Sequence, residues 1–457
     1  MHLVLALLGC NGSGTEPTYH RDARPVLDTR CATCHQPGGV GPFPMTTYEE
    51  VYAVRTAAAL AIESGSMPPW QPAEGCAEYD GAFDLTPAER TLLLDFFAAD
   101  APEGDPADAV PSEPPPVFAA DVAVKLPEAY TPVTEPDDYR CQILDWTVDT
   151  PQFITGVNIA PSNGAIAHHG IAFLIPGSER ESYEALDAAE EGPGYTCFGG
   201  PTGAGGSSFG ELGDLDLATL LALVQAAQDG ESPEVARGMS WLASWVPGQV
   251  PRPFPEGTGV QVNRGDFVVL QMHYNTLSAA PSPDQSELQL QLTDTVERPA
   301  MTLPFTNPMW IANLEPMLIP ANETASYSTS QSASGLMLGM VRTRLGLAAD
   351  SPLEVHIAGL HMHALGTGGR MQVRHATGET SCLLEIDDWD FSWQGNYALT
   401  QPVTVMPDDE VFLGCSWDNT AANQIVVDGQ ALEPRDVTWG EGTTDEMCLG
   451  GMYLTGP

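Results

Sequence analysis

Between residues 102 and 118 the chain reads PEGDPADAVPSEPPPVF. Six prolines fix the backbone and remove six amide donors, so this stretch suits neither a helix interior nor a central strand. With its acids it reads as a stiff, extended linker, and the chain must fold as separate units on either side of it. For 457 residues, about 150 residues per domain suggests roughly three domains. Apolar residues make up 43%, enough for real cores. Charge limits partners more than fold. Against 61 acidic residues stand 17 basic ones, and Lys125 is the sole lysine, giving a net charge of −44. Such a field repels phosphate backbones and anionic lipid, so no nucleic-acid partner is expected. With 14 Phe, 12 Tyr and 9 Trp, the chain is not an acidic disordered polymer. The acids read as a solubility or salt-tolerance feature, because ionic strength would screen their mutual repulsion.

The first residues hold a short apolar run, LVLALLG, directly before Cys10. Leu7-Leu8-Gly9-Cys10 resembles a bacterial lipoprotein signal, and a flexible Asn-Gly-Ser-Gly tether follows. The expectation is an exported protein, periplasmic or outer-membrane-associated, that touches the membrane only through lipid on Cys10. No run of about 20 apolar residues occurs that would suit a spanning helix. Residues 1–17 are therefore taken as signal and tether.

Residues 18–101 form the first expected domain, small and all-α. Cys31-Ala-Thr-Cys34-His35 is the CxxCH pattern of covalent haem attachment. Two thiols on one helical turn can reach two vinyl groups of one porphyrin, and the adjacent histidine can ligate iron. A zinc half-site would want a second Cys or His pair nearby, and only Cys76 is at hand. A redox dithiol would want a βαβ context, which is missing. The segment resembles small cytochrome c domains. A short helix, Val26–Cys31, leads into the motif; a Pro-Gly loop follows; Tyr48–Ser64 reads as a helix. Met67, before two prolines, matches that family's distal iron ligand. Thr86, Pro87 and Glu89 read as a helix start with a capping box, ahead of Leu92, Leu93, Leu94, Phe96 and Phe97. The implied cofactor is one haem c on Cys31, Cys34, His35 and Met67.

Beyond residue 119, short apolar runs alternate with Pro, Gly, Asn and Asp for over 300 residues, which argues β-sandwich architecture. A Gly-Ser loop over 199–210 and local helix over 211–228 and 233–245 interrupt it. Seven of the ten histidines lie here. His168 and His169 are adjacent, and His273 lies in a strand-like run. His361-Met-His363 puts two imidazoles on one side of a strand, because side-chain direction repeats every second residue. These spacings suggest one or two metal sites. Imidazole suits copper, zinc, iron or nickel, so the element stays open at this point.

The stretch 139–457 resembles the copper type II, ascorbate-dependent monooxygenases, the group of peptidylglycine α-hydroxylating and dopamine β-monooxygenases. The matching segments are Tyr139-Arg-Cys141; Ala167-His168-His169 followed by Cys197; Trp245-Val-Pro-Gly248 and Phe254-Pro-Glu-Gly257; Val269–Tyr274 around His273; Leu360–Gly366 around the second histidine pair; and Thr443–Cys448 around Met447. The resemblance implies two jelly-roll-like β-sandwich subdomains, 119–297 and 298–457, with one copper on each. His168, His169 and His273 would hold the electron-transfer copper, and His361, His363 and Met447 the copper that meets dioxygen. A soft thioether favours Cu(I). Disulfides Cys141–Cys197 and Cys415–Cys448 are implied as well. Cys76 and Cys382 are left to pair, to staple the haem unit to the second sandwich, or to stay free.

The implied reaction is hydroxylation of a C–H bond in a small molecule, with electrons from ascorbate, a periplasmic donor or the fused haem. Peptide amidators of this family hold a substrate carboxylate with an arginine and a tyrosine where this chain has Gly359 and Gly451. Loss of both points to a non-anionic substrate. The alternative is a haem- and copper-carrying electron-transfer or copper-handling lipoprotein on the same scaffold. Of the remaining side chains, His356 reads as structural, with support of the His361 pair as the alternative, His375 as surface, and Asp445 and Glu446 as solvated, with orientation of the ligands as the alternative.

Overall fold

The fold is that of a computed structural model, which describes residues 16–457 except 38–40, 70–71, 81–83, 113–117, 198–199, 203–239, 248, 250, 277–278, 312, 392, 428–429, 441 and 443. The chain divides into two compact units, one from residues up to 70 with 83–115, the other from 71–82 with 116–457. No helix among the described residues is long and apolar enough to cross a membrane. Cys10, and most of the loop and helix expected over 199–228, lie outside the described residues.

The first unit is helical. After a helical turn at Tyr19–Ala23 come α1 (Arg24–Arg30), α2 (Tyr48–Ser64) and α3 (Pro87–Ala98). Both longer helices start in capping boxes. Thr47 Oγ1 accepts from the Glu50 amide, and Thr86 Oγ1 from the Glu89 amide. Each glutamate in turn accepts from its cap residue's amide, so orphan N–H groups at both starts are satisfied. Gly65, at φ +79°, ends α2 in a left-handed conformation that costs glycine nothing. Leu27, Val51, Ile62, Leu93, Phe96 and Phe97 meet in the core. Burying such side chains contributes about 1.5–3 kcal/mol each. Residues of the proline-rich segment bond back onto this unit, with Tyr19 N donating to Pro102 O and Ser112 Oγ to Asp28 Oδ2.

The second unit is built on β-sheets. Its strands are β1 (Val122–Lys125), β2 (Asp137–Ile143), β3 (Gln152–Ala160), β4 (Ala167–Ile175), β5 (Tyr195–Thr196), β6 (Ser240–Trp245), β7 (Thr258–Val262), β8 (Phe267–Asn275), β9 (Glu287–Thr293), β10 (Arg298–Phe305), β11 (Thr324–Ser332), β12 (Leu353–His361), β13 (Gly366–Arg374), β14 (Thr380–Ile386), β15 (Asn396–Val405), β16 (Glu410–Asp418), a short hairpin, β17 (Val426–Val427) and β18 (Gln430–Ala431), and β19 (Leu449–Thr455). They form a five-stranded sheet ordered β5-β2-β8-β4-β6, a four-stranded sheet ordered β11-β16-β13-β14, and an eight-stranded sheet ordered β1-β9-β3-β7-β10-β19-β12-β15.

The arrangement is sandwich-like. Ala172, Leu174, Val268, Leu270 and Met272 of the five-stranded sheet share one core with Ile154, Ile159, Val260, Leu288 and Leu290 of the eight-stranded sheet. Further along, Gly450 of β19 leaves room for Met371 of β13, whose Sδ would lie 2.6 Å from an added Cβ. The eight-stranded sheet continues through a parallel pairing of β7 with β10.

The helix expected over 233–245 is not formed in its described part, because Ser240–Trp245 is β6 and pairs with β4. Ladder bonds and the burial of Leu242 outweigh the local helix preference of this run. Cys141 pairs with Cys197 and Cys415 with Cys448, as the resemblance implied, and Cys76 pairs with Cys382. Residues 72–80 form a strap across β14 and β15. Ala73 N donates to Glu385 O at 2.7 Å, Asp80 N to Ala398 O at 2.7 Å, and Thr400 N to Glu78 O at 3.0 Å. The strap thus fastens both stems of the loop 387–395.

Candidate metal centre

β4 and β8 bring His168, His169 and His273 together, with one donor atom of each within 4.8 Å of the others. Successive strand residues normally face opposite ways. Here the register slips between Ala167 and His169 against β8, so the strand carries an extra residue and both neighbouring imidazoles turn to one side. His169 Nδ1 lies 3.4 Å from His168 Nδ1 and 3.2 Å from His273 Nδ1. The outer nitrogen of His273 is committed, since Nε2 donates to Asp137 Oδ1 at 2.8 Å. That fixes the tautomer and leaves the Nδ1 lone pair facing the other two rings. Tyr139 stacks flat on His273, with centroids 4.0 Å apart. Burial first, and the neighbouring imidazoles second, push His168 down to about 4 and His169 well below its ordinary value. Three imidazoles with converging nitrogens, His273 buried and His168 and His169 half-buried, are the donor set a soft-to-borderline metal ion takes, and copper fits it.

The second histidine pair sits where β12 ends. His361 faces Leu449 of β19, and Met447 lies two residues before that strand begins. Met362, between the histidines, points into the core and is fully buried. Both rings are held from behind. His361 Nδ1 meets Gln394 Oε1 at 2.5 Å, and His363 Nδ1 donates to the Asp445 carbonyl at 3.0 Å. Each ring is thereby left its Nε2. Burial lowers His361, and burial with the His361 ring pushes His363 down to about 3. Glu446, expected to be solvated, is fully buried. Its carboxylate accepts from the amides of His363, Leu365 and Met447 and from Trp417 Nε1. Burial nonetheless pushes this carboxyl up to about 7. The Cys415–Cys448 disulfide pins the residue after Met447.

His169, His361, His363 and Met447 line one cavity of about 120 Å³. Phe391, from the strapped loop, stands between the two clusters, with centroids 5.5 Å from His168 and 5.9 Å from His363. Trp389 Nε1 donates to the His363 carbonyl. Asp137, Phe391 and Gln394 carry no spacing signal of their own; the pairing of β2 with β8 brings in Asp137, and the loop between β14 and β15 brings in Phe391 and Gln394.

Residues 347–455 match the copper type II ascorbate-dependent monooxygenase C-terminal domain. The match takes in His361, His363 and Met447. The three-histidine cluster lies outside it. No curated protein matches the chain. Among solved structures, two crystal forms of PNGF-II are similar at 9% identity, with TM-scores of 0.26 and 0.25; 73% of this chain is covered and 65% and 64% of theirs. The infectious bursal disease virus VP2 subviral particle scores 0.15 at the same identity, with 73% of this chain and 70% of that one covered. The chain therefore spans about 65% of the length of the first of these.

In the helical unit, Cys31 and Cys34 are free thiols. Burial pushes Cys31 up to about 12 and also raises Cys34, so neither is a ready thiolate. His35 Nδ1 donates to the Phe43 carbonyl at 2.9 Å and leaves Nε2 unclaimed. Met67 is 40% exposed. Phe96 and Phe97 serve the helix-packing core. Of the other histidines, His356 is buried against Thr455 Oγ1, as a structural role requires. His375, expected at the surface, is partly buried instead, held between Asp409 and Ser381 at 2.9 Å from each.

Proposed function

We propose that this protein is a copper-dependent monooxygenase that hydroxylates a C–H bond of a small, non-anionic substrate. The observation that carries the reading is one cavity lined by both His169 and the His361, His363 and Met447 set, the latter within the matched C-terminal segment. His168, His169 and His273 would hold one copper, and His361, His363 and Met447 a second. Bound copper supplies one-electron chemistry and a binding place for dioxygen, so that one oxygen atom enters the substrate and the other leaves as water. The chain's own residues orient that chemistry. Asp137 and Tyr139 hold His273; Gln394 and the Asp445 carbonyl hold His361 and His363; Glu446 fixes the backbone on either side. Phe391 stands between the clusters with its ring against His168 and His363.

Cys31, Cys34 and His35 suit a covalent haem c, with Met67 as its distal ligand, in an exported and lipid-anchored chain. Electrons would come through that haem, or from ascorbate or a periplasmic redox protein. The domain limits 18–101, 119–297 and 298–457 belong to the same reading. Metal analysis with a haem spectrum on periplasmically matured protein tests it. The expected result is two coppers and one haem per chain, with nitrogen-ligated type II copper by EPR and oxygen uptake coupled to product. Copper loading at both clusters without turnover of any substrate offered would favour a carrier instead.

A further inference from the structure

The strap over 72–80 lies along two sheet edges. Pro72 pairs with Ile386 on β14, at the edge of the four-stranded sheet, and Tyr79 with Leu399 on β15, at the edge of the eight-stranded one. These contacts flank the loop 387–395, whose side chains reach the histidines. Gln394 meets His361, Phe391 lies against His168 and His363, and Trp389 Nε1 donates to the His363 carbonyl. The covalent tie from the strap to β14 is Cys76–Cys382, which joins residues 306 positions apart.

This disulfide differs from Cys141–Cys197 and Cys415–Cys448 in access. Those four cysteines are buried, whereas Cys76 and Cys382 are half-buried. The sulfurs show the same contrast. Cys76 Sγ lies 3.5 Å from Tyr79 Oη and Cys382 Sγ 4.0 Å from Met371 O, both in partly buried surroundings, while Cys197 Sγ meets Gln271 Nε2 in fully buried ones. Thiol–disulfide exchange needs a thiolate in contact with a sulfur, so access sets which bridge is cut first. Once it is cut, the strap is left with hydrogen bonds such as Ala73 N to Glu385 O, Asp80 N to Ala398 O, Thr400 N to Glu78 O and Tyr79 Oη to Leu383 O. Their net contributions are modest beside the entropy of keeping the whole segment ordered. Such a segment opens locally before the fold does.

We propose that Cys76–Cys382 is a thiol-sensitive latch on the second cluster, closed when oxidised and opened by a partner that presents a reduced dithiol. One thiolate of the dithiol attacks the disulfide; the S–S bond breaks and a mixed disulfide forms. The second thiolate then displaces the protein sulfur. The dithiol leaves as a disulfide, and two electrons and two protons pass to Cys76 and Cys382, now thiols. With the strap released, the loop stems lose their fastening and Gln394 no longer holds His361 in one orientation. The consequence for copper rests on the reading that His361, His363 and Met447 hold it. Outer partners of a metal ligand change affinity by about 10–100-fold. Opening therefore weakens copper at the second cluster and spares the first, which Asp137 and Tyr139 support from β2.

Stepwise reduction of the full chain with dithiothreitol, followed by alkylation and peptide mass mapping, tests the order of cutting. Cys76 and Cys382 should be labelled at a dithiol concentration about tenfold or more below that needed for the other two disulfides. After alkylation and removal of the reductant, the metal-free chain should exchange amide hydrogens over 387–395 about tenfold faster than the oxidised chain. Copper titration should then show about tenfold weaker binding at the second cluster and no change at the first. Cys76→Ser with Cys382→Ser should match the reduced chain and respond no further to dithiol. Simultaneous reduction of all three disulfides overturns the proposal. So does unchanged exchange over 387–395 once Cys76 and Cys382 are labelled, faster exchange with unchanged copper affinity, or equal weakening of both clusters. If the oxidised chain takes up no copper at the second cluster, the proposed function fails instead, and hydrogen exchange on the metal-free chain still decides whether the latch exists.

Discussion

The two histidine clusters are held by different means. His169 and His273 stand on neighbouring strands inside the five-stranded sheet, so ladder register delivers the first cluster. One carboxylate, Asp137, and one stacked ring, Tyr139, complete it. The second cluster sits where strands end, at His361, His363 and Met447, and no ladder fixes its backbone on both sides. It is instead tied by Glu446, by the Cys415–Cys448 disulfide, and by a loop whose stems are strapped by residues 72–80. A site inside a sheet inherits its geometry, whereas a site at strand ends needs separate anchors, each of which is a separate point of failure.

Glu446 offers the sharpest break. Replacing it with leucine leaves four N–H groups without their acceptor in a dry interior. The expected loss is about 4 kcal/mol in denaturant unfolding. Copper titration should show the second site lost and the three-histidine site retained. Equal damage to both sites would dissolve the distinction. The strap is next. Cys76→Ser with Cys382→Ser should cost about 2–3 kcal/mol of stability. It should also weaken copper at the second cluster only, because the loop carrying Gln394 and Phe391 loses its covalent fastening. Unchanged copper affinity at both sites would reduce the strap to a passive staple. On the other side, Asp137→Asn should lower copper affinity at the first cluster by about tenfold and leave the second untouched, as read by competition with a copper chelator.

How much of this was legible follows from the same contrast. Alternation along a strand already set His361 and His363 on one side, and Met362 lies buried on the other. The capping boxes at Thr47 and Thr86 are local, and the one at Thr86 could be read directly from residue order. The slip beside His169 was not legible, since a bulge depends on the partner strand. Nor was Glu446, one acid among 61 acidic residues, because only the closed fold removes it from water. The strap was hidden for a related reason. Its hydrogen bonds join residues some 300 positions apart, at Ala73 with Glu385 and Glu78 with Thr400.

His356 supplies the smallest test and a control for the comparison. It lies on β12 with His361, is buried, and is pushed down to about 4, by burial first and Arg298 second. Yet its Nε2 meets Thr455 Oγ1, with Glu354 Oε2 3.7 Å away, and among the described residues its ring faces no other histidine. Low proton affinity alone therefore does not mark a ligand; converging lone pairs do. The folded state holds His356 neutral, whereas the unfolded chain protonates it near its ordinary value of about 6.5. Unfolded chains thus bind the extra proton, so stability falls as pH drops from about 6.5 toward 4 and is flat above that window. His356→Gln keeps a group toward Thr455 and should remove about 1 kcal/mol of that acid-side loss, seen as a shallower fall of the unfolding midpoint between pH 6.5 and 4. Copper binding at both clusters should be unchanged in this variant. A loss of copper would instead tie His356 to the second cluster and make the strand, not the anchors, the source of its geometry.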